Sequence, residues 1–341
     1  MLKDKKTGDF TSLGHFLSRT RDVLVNGKSD TRIDLLREKA MAAGSDSTGG
    51  VLVPPKFADE IFLTTLEDSI VWKRAFIMPL KTDKVTIARL VDSDRSSNLL
   101  GGVSFTFLAE AGDKSTGVAD PALGAVELSA KEGIASCWVT NRLMEDAENF
   151  AGFIKFAFGK AIAFYGDYYF INGAGSNQPL GVLESDALIE ATRAATGKVD
   201  MPDIQAMASR LLPGSWQKAV WLINQEVLTY WMSLTSGAAN PVSVLNLADM
   251  KMLGCDVIVT EKCPGLNEKG DVLLADFSHY VIANRELIID ASAHVPDYWQ
   301  KNTTFWKAQI RVDGQPTLTA AITPKNGSST VSPFVALAAG S

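Results

Sequence analysis

The residues of this chain best equipped for chemistry are a serine beside two glycines (Gly173-Ala174-Gly175-Ser176), three histidines, three cysteines and a few carboxylates. A Gly-x-Gly turn cradles a phosphate when a strand leads into it and a helix follows, because the helix N-terminus then offers unpaired N–H groups. Here a long helical pattern precedes the turn and no Gly-Lys-Ser/Thr ending follows, so both requirements fail. Ser176 lies outside a G-x-S-x-G frame and is not a nucleophile elbow. His15, His279 and His294 are far apart and form neither HExxH nor HxH. Cys137, Cys255 and Cys263 have neither zinc nor CxxC spacing. Glu110, or Glu145 with Asp146, has the chemistry of an acid and base pair, but nothing gathers them into a pocket, and the first turn of a helix favours carboxylates by itself. Trp216, Trp221, Trp231, Trp299 and Trp306 fall in helix and strand patterns, where tryptophan serves as a core or interface anchor. The expectation is a non-enzyme with no catalytic residue, metal or cofactor.

The stretch that organises the chain runs from 141 to 183. Phe150, Phe153, Ile154, Ala157, Phe158, Ala161, Ile162, Tyr165, Tyr168 and Tyr169 recur at steps of three and four, which predicts one continuous apolar helix face over about 141–172. Asn141 suits an N-cap, and Asn172-Gly173 suits a left-handed stop. At about 1.5 Å per residue the helix would be roughly 45 Å long, more than an ordinary core needs. Gly152, Gly159 and Gly166 lie seven apart on a second stripe, each costing about 1 kcal/mol against alanine in a helix interior. Either something packs closely there or the helix merely tolerates glycine.

With 341 residues the chain can bury a large core, in two domains or in one with large insertions. A net charge of -6 and a pI near 5.2 give no global attraction to nucleic acid. Three cysteines fit a reducing compartment. The charged start MLKDKKTGDF is followed by no apolar segment, and no stretch approaches the ~20 apolar residues of a membrane span. The expectation is a soluble chain, cytosolic where it is made, with no membrane contact.

Residues 1–50 read as an arm with one helical candidate, Asp30 to Ala43. Composition fits equally an arm ordered by lying on a neighbour and a loose tail. After the hinge at 45–50, Val51-Leu52-Val53-Pro54-Pro55 begins ordered structure, followed by a helix from Lys56 to about Leu66. Ser69 to Leu80 and Val85 to Ala88 read as strands. Polar, glycine-containing sequence from Asp92 to Pro121 encloses the alternating Val103-Ser104-Phe105-Thr106-Phe107, and Ala125 to Ser129 alternates again, which predicts a long β-hairpin. Such a hairpin buries little of itself and must rest on something else. Ile134 to Val139 leads into the long helix. Beyond it, helices at Met201 to Leu212 and Gln225 to Leu234 alternate with strands at Ala219 to Asn224, Leu253 to Val259, Val272 to Asp276, Tyr280 to Asn284 and Leu287 to Asp290, a compact α/β unit. Strands at Thr304 to Asp313 and Thr317 to Thr323, broken by Gln315-Pro316, and a final one at Val331 to Leu337 close the chain.

Several of these residues together resemble a known family. They are Gly49-Gly50-Val51-Leu52-Val53-Pro54, Phe107 to Glu110 before a loose tip, Leu143-Met144-Glu145-Asp146-Ala147, and Asn172-Gly173-Ala174-Gly175 followed by Pro179-Leu180-Gly181-Val182-Leu183. In this order and spacing they resemble the Hong Kong 97-type major capsid proteins of tailed phages, from about Gly49 to Leu337. The resemblance implies an α+β capsid fold with an N-terminal arm (1–50), a peripheral domain (51–80, 132–200 with the spine helix, and the return strands 298–341), an extended β-hairpin loop (81–131) and an α/β axial domain (201–297). It implies self-assembly of hexamers and pentamers into an icosahedral shell around double-stranded DNA. Gly152, Gly159, Gly166, Gly173, Gly175, Pro179 and Gly181 are then assembly or structural positions. The implied partners are other copies, a portal protein, a decoration protein and packaged DNA held without sequence-specific contact, in a virion assembled in the host bacterial cytoplasm.

Some relatives crosslink a loop lysine to an asparagine with a glutamate as base. Lys301-Asn302 resembles the asparagine site, but Gln309 stands seven residues on, where the glutamate belongs, and the loop's Lys-Pro step reads Asp120-Pro121. Glutamine cannot accept the proton and aspartate is no amine nucleophile, so no isopeptide crosslink is expected. Many relatives carry a helical scaffold segment ahead of the arm. This sequence shows none, which leaves either a separate scaffold protein or a start where little needed removal, and Met1 makes the separate scaffold protein the expectation. The rival readings are a shell of the encapsulin or gene-transfer-agent kind and, in another class, a cytosolic α/β enzyme.

Overall fold

Strict alternation of half-exposed and buried side chains from Thr303 to Ile310 builds the longest strand, Thr303–Pro316, and sets which side of its sheet faces a core. Gln315-Pro316, expected to break this strand, instead ends it, because a proline lacking its N–H is tolerated at a strand terminus. The expected strand at 317–323 is absent. That segment is tied down by the bonds of the Thr317 N–H and hydroxyl to His279 O and by the single bridges Ile322 to Val331 and Thr323 to Asp94.

The computed structural model describes residues 10, 12–24, 27–42, 51–52, 61, 69–80, 82–90, 92–96, 99, 103, 105, 107, 123–145, 147–236, 242–243, 245–246, 249–285, 287–292 and 302–340. They fall into two units. One draws on Met1–Lys73, Glu132–Gly166 and Asn284–Val312, the other on Arg74–Lys131, Asp167–Ala283 and Asp313–Ser341. Of the expected helix at 56–66 only Ile61 is described, and Glu110, Asp120, Asp146, His294, Trp299 and Lys301 lie outside the described residues.

In the first unit Val51–Leu52 pairs with Ile288–Ser292, which pairs antiparallel with the long strand (Ile289 with Ala308, Ala291 with Trp306). Lys131–Thr140 also joins the long strand. The buried side carries Trp306, Ala308 and Ile310, and Phe150 of the long helix Ala147–Asn172 meets Trp306 edge-on with ring centroids 5.4 Å apart. The described residues of the N-terminal segment form two helices where one was expected: Thr31–Ala42, and an unexpected Leu13–Leu24. Leu13, Phe16 and Leu17 have helical spacing, but the interleaved charges mask it. Phe16, Leu17 and Ile33 are fully buried, so the described part of the arm makes apolar contacts within its own chain. Burying each such side chain is worth about 1.5–3 kcal/mol, which offsets the entropy of ordering it.

The second unit is built on a seven-stranded mixed sheet. Its order is Leu245–Asn246, Lys251–Met252, Cys255–Val259, Val220–Ile223, Val272–Ala275, Phe334–Leu337, Ile189–Ala191. The sheet therefore takes in 189–191 and 334–337 as well as strands from 201–297. Its adjacent strands Val220–Ile223, Val272–Ala275 and Phe334–Leu337 are buried on both faces. Helices Met201–Arg210 and Gln225–Ser233 set Ile204, Met207, Val227 and Trp231 against the face that carries Trp221, Ile223, Leu274 and Val335. Asn224 caps the second helix, its side-chain oxygen accepting from the Glu226 N–H.

The same unit holds the base of the expected hairpin. Lys84–Leu90 and Leu123–Ser129 pair antiparallel from Lys84 opposite Ser129 to Leu90 opposite Leu123, and Val126 and Leu128 pack with Leu80, Val281 and Ala283. Phe105 and Phe107, beyond the paired strands, are 83% and 89% exposed. The strand expected over 69–80 is shortened to Phe76–Pro79, since residues 71–75 turn and the Ser69 hydroxyl accepts from the Trp72 N–H.

Candidate assembly site

The long helix is apolar on more than one face, and its buried stripe changes side. At about 100° per residue, buried Phe150, Ile154, Phe158 and Ile162 lie within one 120° sector, whereas Asp167, Phe170 and Ile171 are buried on the opposite side. The single continuous face read from the sequence is thus two half-length faces. Phe153 and Phe156 are left in solvent over the first half, and Tyr165, Tyr168 and Tyr169 over the second. The helix is described from Ala147, and Leu143–Glu145 forms a 3₁₀ turn before it. Asn141 does not cap: its Nδ2 donates to Asn302 Oδ1 (2.5 Å) and its Oδ1 accepts from the Thr304 hydroxyl (2.9 Å).

The glycines separate by environment. A Cβ on Gly152 would meet nothing within 4 Å, Gly159 is buried and Gly166 half-buried, so the seven-residue stripe is open at one end and closed in the middle. Gly173, Gly175, Pro179 and Gly181, by contrast, are brought together in one tight loop. The Gly181 N–H donates to Gly173 O (2.7 Å) and the Gly175 N–H to Pro179 O (3.3 Å). A Cβ at Gly173 would collide with Pro179 O and Tyr169 O, and one at Gly181 with Gly173 N and Ile171 O. Gly173 is therefore needed for close approach and not as a left-handed stop. The positive φ lies two residues on, at Gly175 (+80°).

Residues that the sequence reading did not single out fix this loop in the second unit. The Lys131 ammonium spends its three donors on Gly175 O (3.0 Å), Gln178 O (2.8 Å) and Asp313 Oδ1 (3.0 Å). Asp313 Oδ2 in turn accepts from the Ser129 N–H at the foot of the hairpin (2.8 Å). The Leu180 N–H donates to Gly314 O and the Tyr280 hydroxyl to Leu180 O. Gly314 leaves room for the Tyr280 and Phe170 rings, which would lie within 2.9 Å of a Cβ there. Asn172 Nδ2 donates to Lys262 O (2.8 Å), and the Lys262 ammonium meets buried Asp167 at 2.8 Å. Burial pushes the Tyr280 hydroxyl well above its ordinary value, so it stays a neutral donor. The one hint in the sequence was Asp167, a lone charge in the aromatic run Ala163 to Phe170.

Asn302 sits in a turn with φ +50°, its amide held by Asn141, while Gln309 lies on the strand opposite Ile288. Seven residues along a strand span about 23 Å, so residue 309 cannot act on Asn302 of its own chain. Among the described residues no three of His, Cys, Asp and Glu cluster as metal ligands, and no helix is long and apolar enough to cross a membrane. Cys137, Cys255 and Cys263 are free thiols, and burial pushes Cys263 up to about 12.

Among the described residues this arrangement presents a braced glycine loop, exposed aromatics and the base of a hairpin. No curated protein matches the sequence. Among solved structures, the capsid of a native GTA particle computed with C5 symmetry superposes with a TM-score of 0.57 at 16% identity, over 88% of this chain and 99% of that one. A chain of Mycobacterium phage Adephagia gives 0.55 at 12% identity, over 79% and 89%. One of Microbacterium phage Oxtober96 gives 0.55 at 12%, over 79% and 90%. The model of the phage capsid family matches residues 49–326. The chain belongs to the phage capsid family, a structural protein of the virion with the α+β Hong Kong 97-type fold.

Proposed function

We propose that this chain is the major capsid protein of a tailed phage, whose copies assemble as hexamers and pentamers into an icosahedral shell around double-stranded DNA. The family match across 49–326 carries this reading. Exposed Phe153, Phe156, Tyr165, Tyr168 and Tyr169, with Phe105 and Phe107, support it, because so many large aromatics in solvent mark surfaces that a partner covers. In this reading 1–50 is the arm, 81–131 the extended loop, 201–297 the axial domain, and 51–80, 132–200 and 298–341 the peripheral domain. Gly173, Gly175, Pro179 and Gly181 keep the loop rigid, and open Gly152 admits a neighbouring copy. The chain has no catalytic role, and with Gln309 and Asp120 in the partner positions Asn302 forms no crosslink. A portal protein, a separate scaffold protein and a decoration protein complete the particle, which assembles in the host cytoplasm. The net charge of -6 accords with a shell that encloses DNA without gripping it.

Sedimentation of the purified chain tests this: fast-sedimenting particles are expected, and a stable 36.7 kDa monomer at all concentrations would overturn it. An encapsulin-type shell would sediment in the same way. Its contents separate the two readings, nuclease-protected DNA for the phage shell and a protein cargo for the encapsulin.

A further inference from the structure

The chain contains three Asn-Gly steps, Asn26-Gly27, Asn172-Gly173 and Asn326-Gly327. This dipeptide is prone to self-modification because glycine's missing side chain lets its own amide nitrogen approach the preceding carboxamide. The structure holds two of the three in opposite circumstances. Asn172 ends the long helix, its Nδ2 donating to Tyr168 O (3.1 Å) and Lys262 O (2.8 Å), and the N–H of buried Gly173 donates to Tyr169 O (2.8 Å). Both the electrophile and the nucleophile are engaged. Asn326 and Gly327 stand exposed at the crest of the loop 324–330, Gly327 at φ +114°. Among the described residues neither the Asn326 carboxamide nor the Gly327 N–H has a hydrogen-bond partner. The loop is closed beneath them by the paired hydrogen bonds of Ile322 and Val331 (2.8 Å each), and Lys325 Nζ reaches Ser96 O.

We propose that Asn326-Gly327 is a built-in deamidation site, converting with age to aspartyl and isoaspartyl forms while Asn172-Gly173 in the same chain is protected. The Gly327 nitrogen gives up its proton to hydroxide and attacks Asn326 Cγ. The Cγ–Nδ2 bond then breaks, the amide nitrogen taking a proton from water and leaving as ammonia, which restores the hydroxide and leaves a five-membered succinimide. Water then opens either carbonyl, giving aspartate or, when the Cα-side carbonyl is cleaved, isoaspartate with one extra methylene in the main chain. Water is the only reagent consumed, and no oxidation state changes. Each event adds one negative charge to the exposed loop beside Lys325. Because the Ile322–Val331 closure lies below the crest, the extra methylene is absorbed within the loop and the fold persists.

The test is to hold the purified native chain at mildly alkaline pH, then combine peptide mapping with ion-exchange chromatography, against a urea-unfolded sample. In the native chain, replacement of the amide NH₂ by OH, with an isoaspartyl product, is expected at 326 and not at 172. In unfolded chain both should convert. Asn326→Gln, whose longer side chain disfavours ring closure, should remove the acidic product that arises at 326 and leave the melting temperature unchanged. An intact Asn326 in native chain after unfolded chain has converted would overturn the proposal, as would equal conversion at 172 and 326.

Discussion

Two alanine substitutions at glycines should move the stability of the dispersed subunit in opposite directions. At Gly181 the added Cβ would press on Gly173 N, on Ile171 O at 2.6 Å and on Ile171 C at 2.8 Å. All three are backbone atoms, so no side-chain rotation relieves them and the loop itself must open. The bonds at stake are Gly181 N–H to Gly173 O (2.7 Å), Leu180 N–H to Gly314 O (2.8 Å) and Tyr280 hydroxyl to Leu180 O (2.7 Å). Overpacking costs about 1–3 kcal/mol and each of the three lost hydrogen bonds about 1 kcal/mol, so Gly181→Ala should destabilise by about 4–6 kcal/mol. At Gly152 the Cβ meets nothing and the backbone is helical, so Gly152→Ala should stabilise by up to about 1 kcal/mol. Urea unfolding followed by circular dichroism reads both. With a slope near 3 kcal/mol/M, Gly181→Ala lowers the midpoint by about 1 M or more while Gly152→Ala raises it slightly. A Gly181→Ala subunit within about 0.5 kcal/mol of the parent would refute the reasoning, as would a destabilised Gly152→Ala subunit.

Other outcomes follow from the same geometry. Lys262→Met leaves Asp167 buried without its cation and should cost about 3–5 kcal/mol, and adding Asp167→Leu should recover much of that loss in the same urea assay. Shells boiled in denaturant should run as a single monomer band on a gel; a ladder of covalent oligomers would show that Asn302 is crosslinked after all. Burial, opposed by Asp276 and reinforced by Lys218 and Arg95, holds the His279 imidazole below its usual 6.5. The unfolded chain therefore takes up this proton first: the contribution is fully present above pH 6.5 and is lost as pH falls toward the folded value. His279→Gln should flatten that part of the stability profile, and an unchanged slope would remove His279 as its source.

Local pattern sufficed wherever an element's partners did not matter to its existence. The helices at Met201–Arg210 and Gln225–Ser233 and the strands Val220–Ile223, Val272–Ala275 and Tyr280–Asn284 lie where periodicity placed them. Periodicity could not show that the stripe on Ala147–Asn172 changes side, because Phe153 and Phe158 look alike until something covers one of them. The glycine loop was legible as a motif, but its cause was not: Gly173 is required by Pro179 O and Tyr169 O, atoms that only the folded loop brings near. Lys131, Lys262 and Asp313 were invisible as a site because each completes a contact from more than 40 residues away. Asn141 was assigned a local role that a distant residue, Asn302, had already claimed.

Electron microscopy of the purified chain tests the central claim most directly. Closed shells built of sixfold and fivefold clusters are the predicted result. A folded chain that stays monomeric and forms no particles would contradict the account.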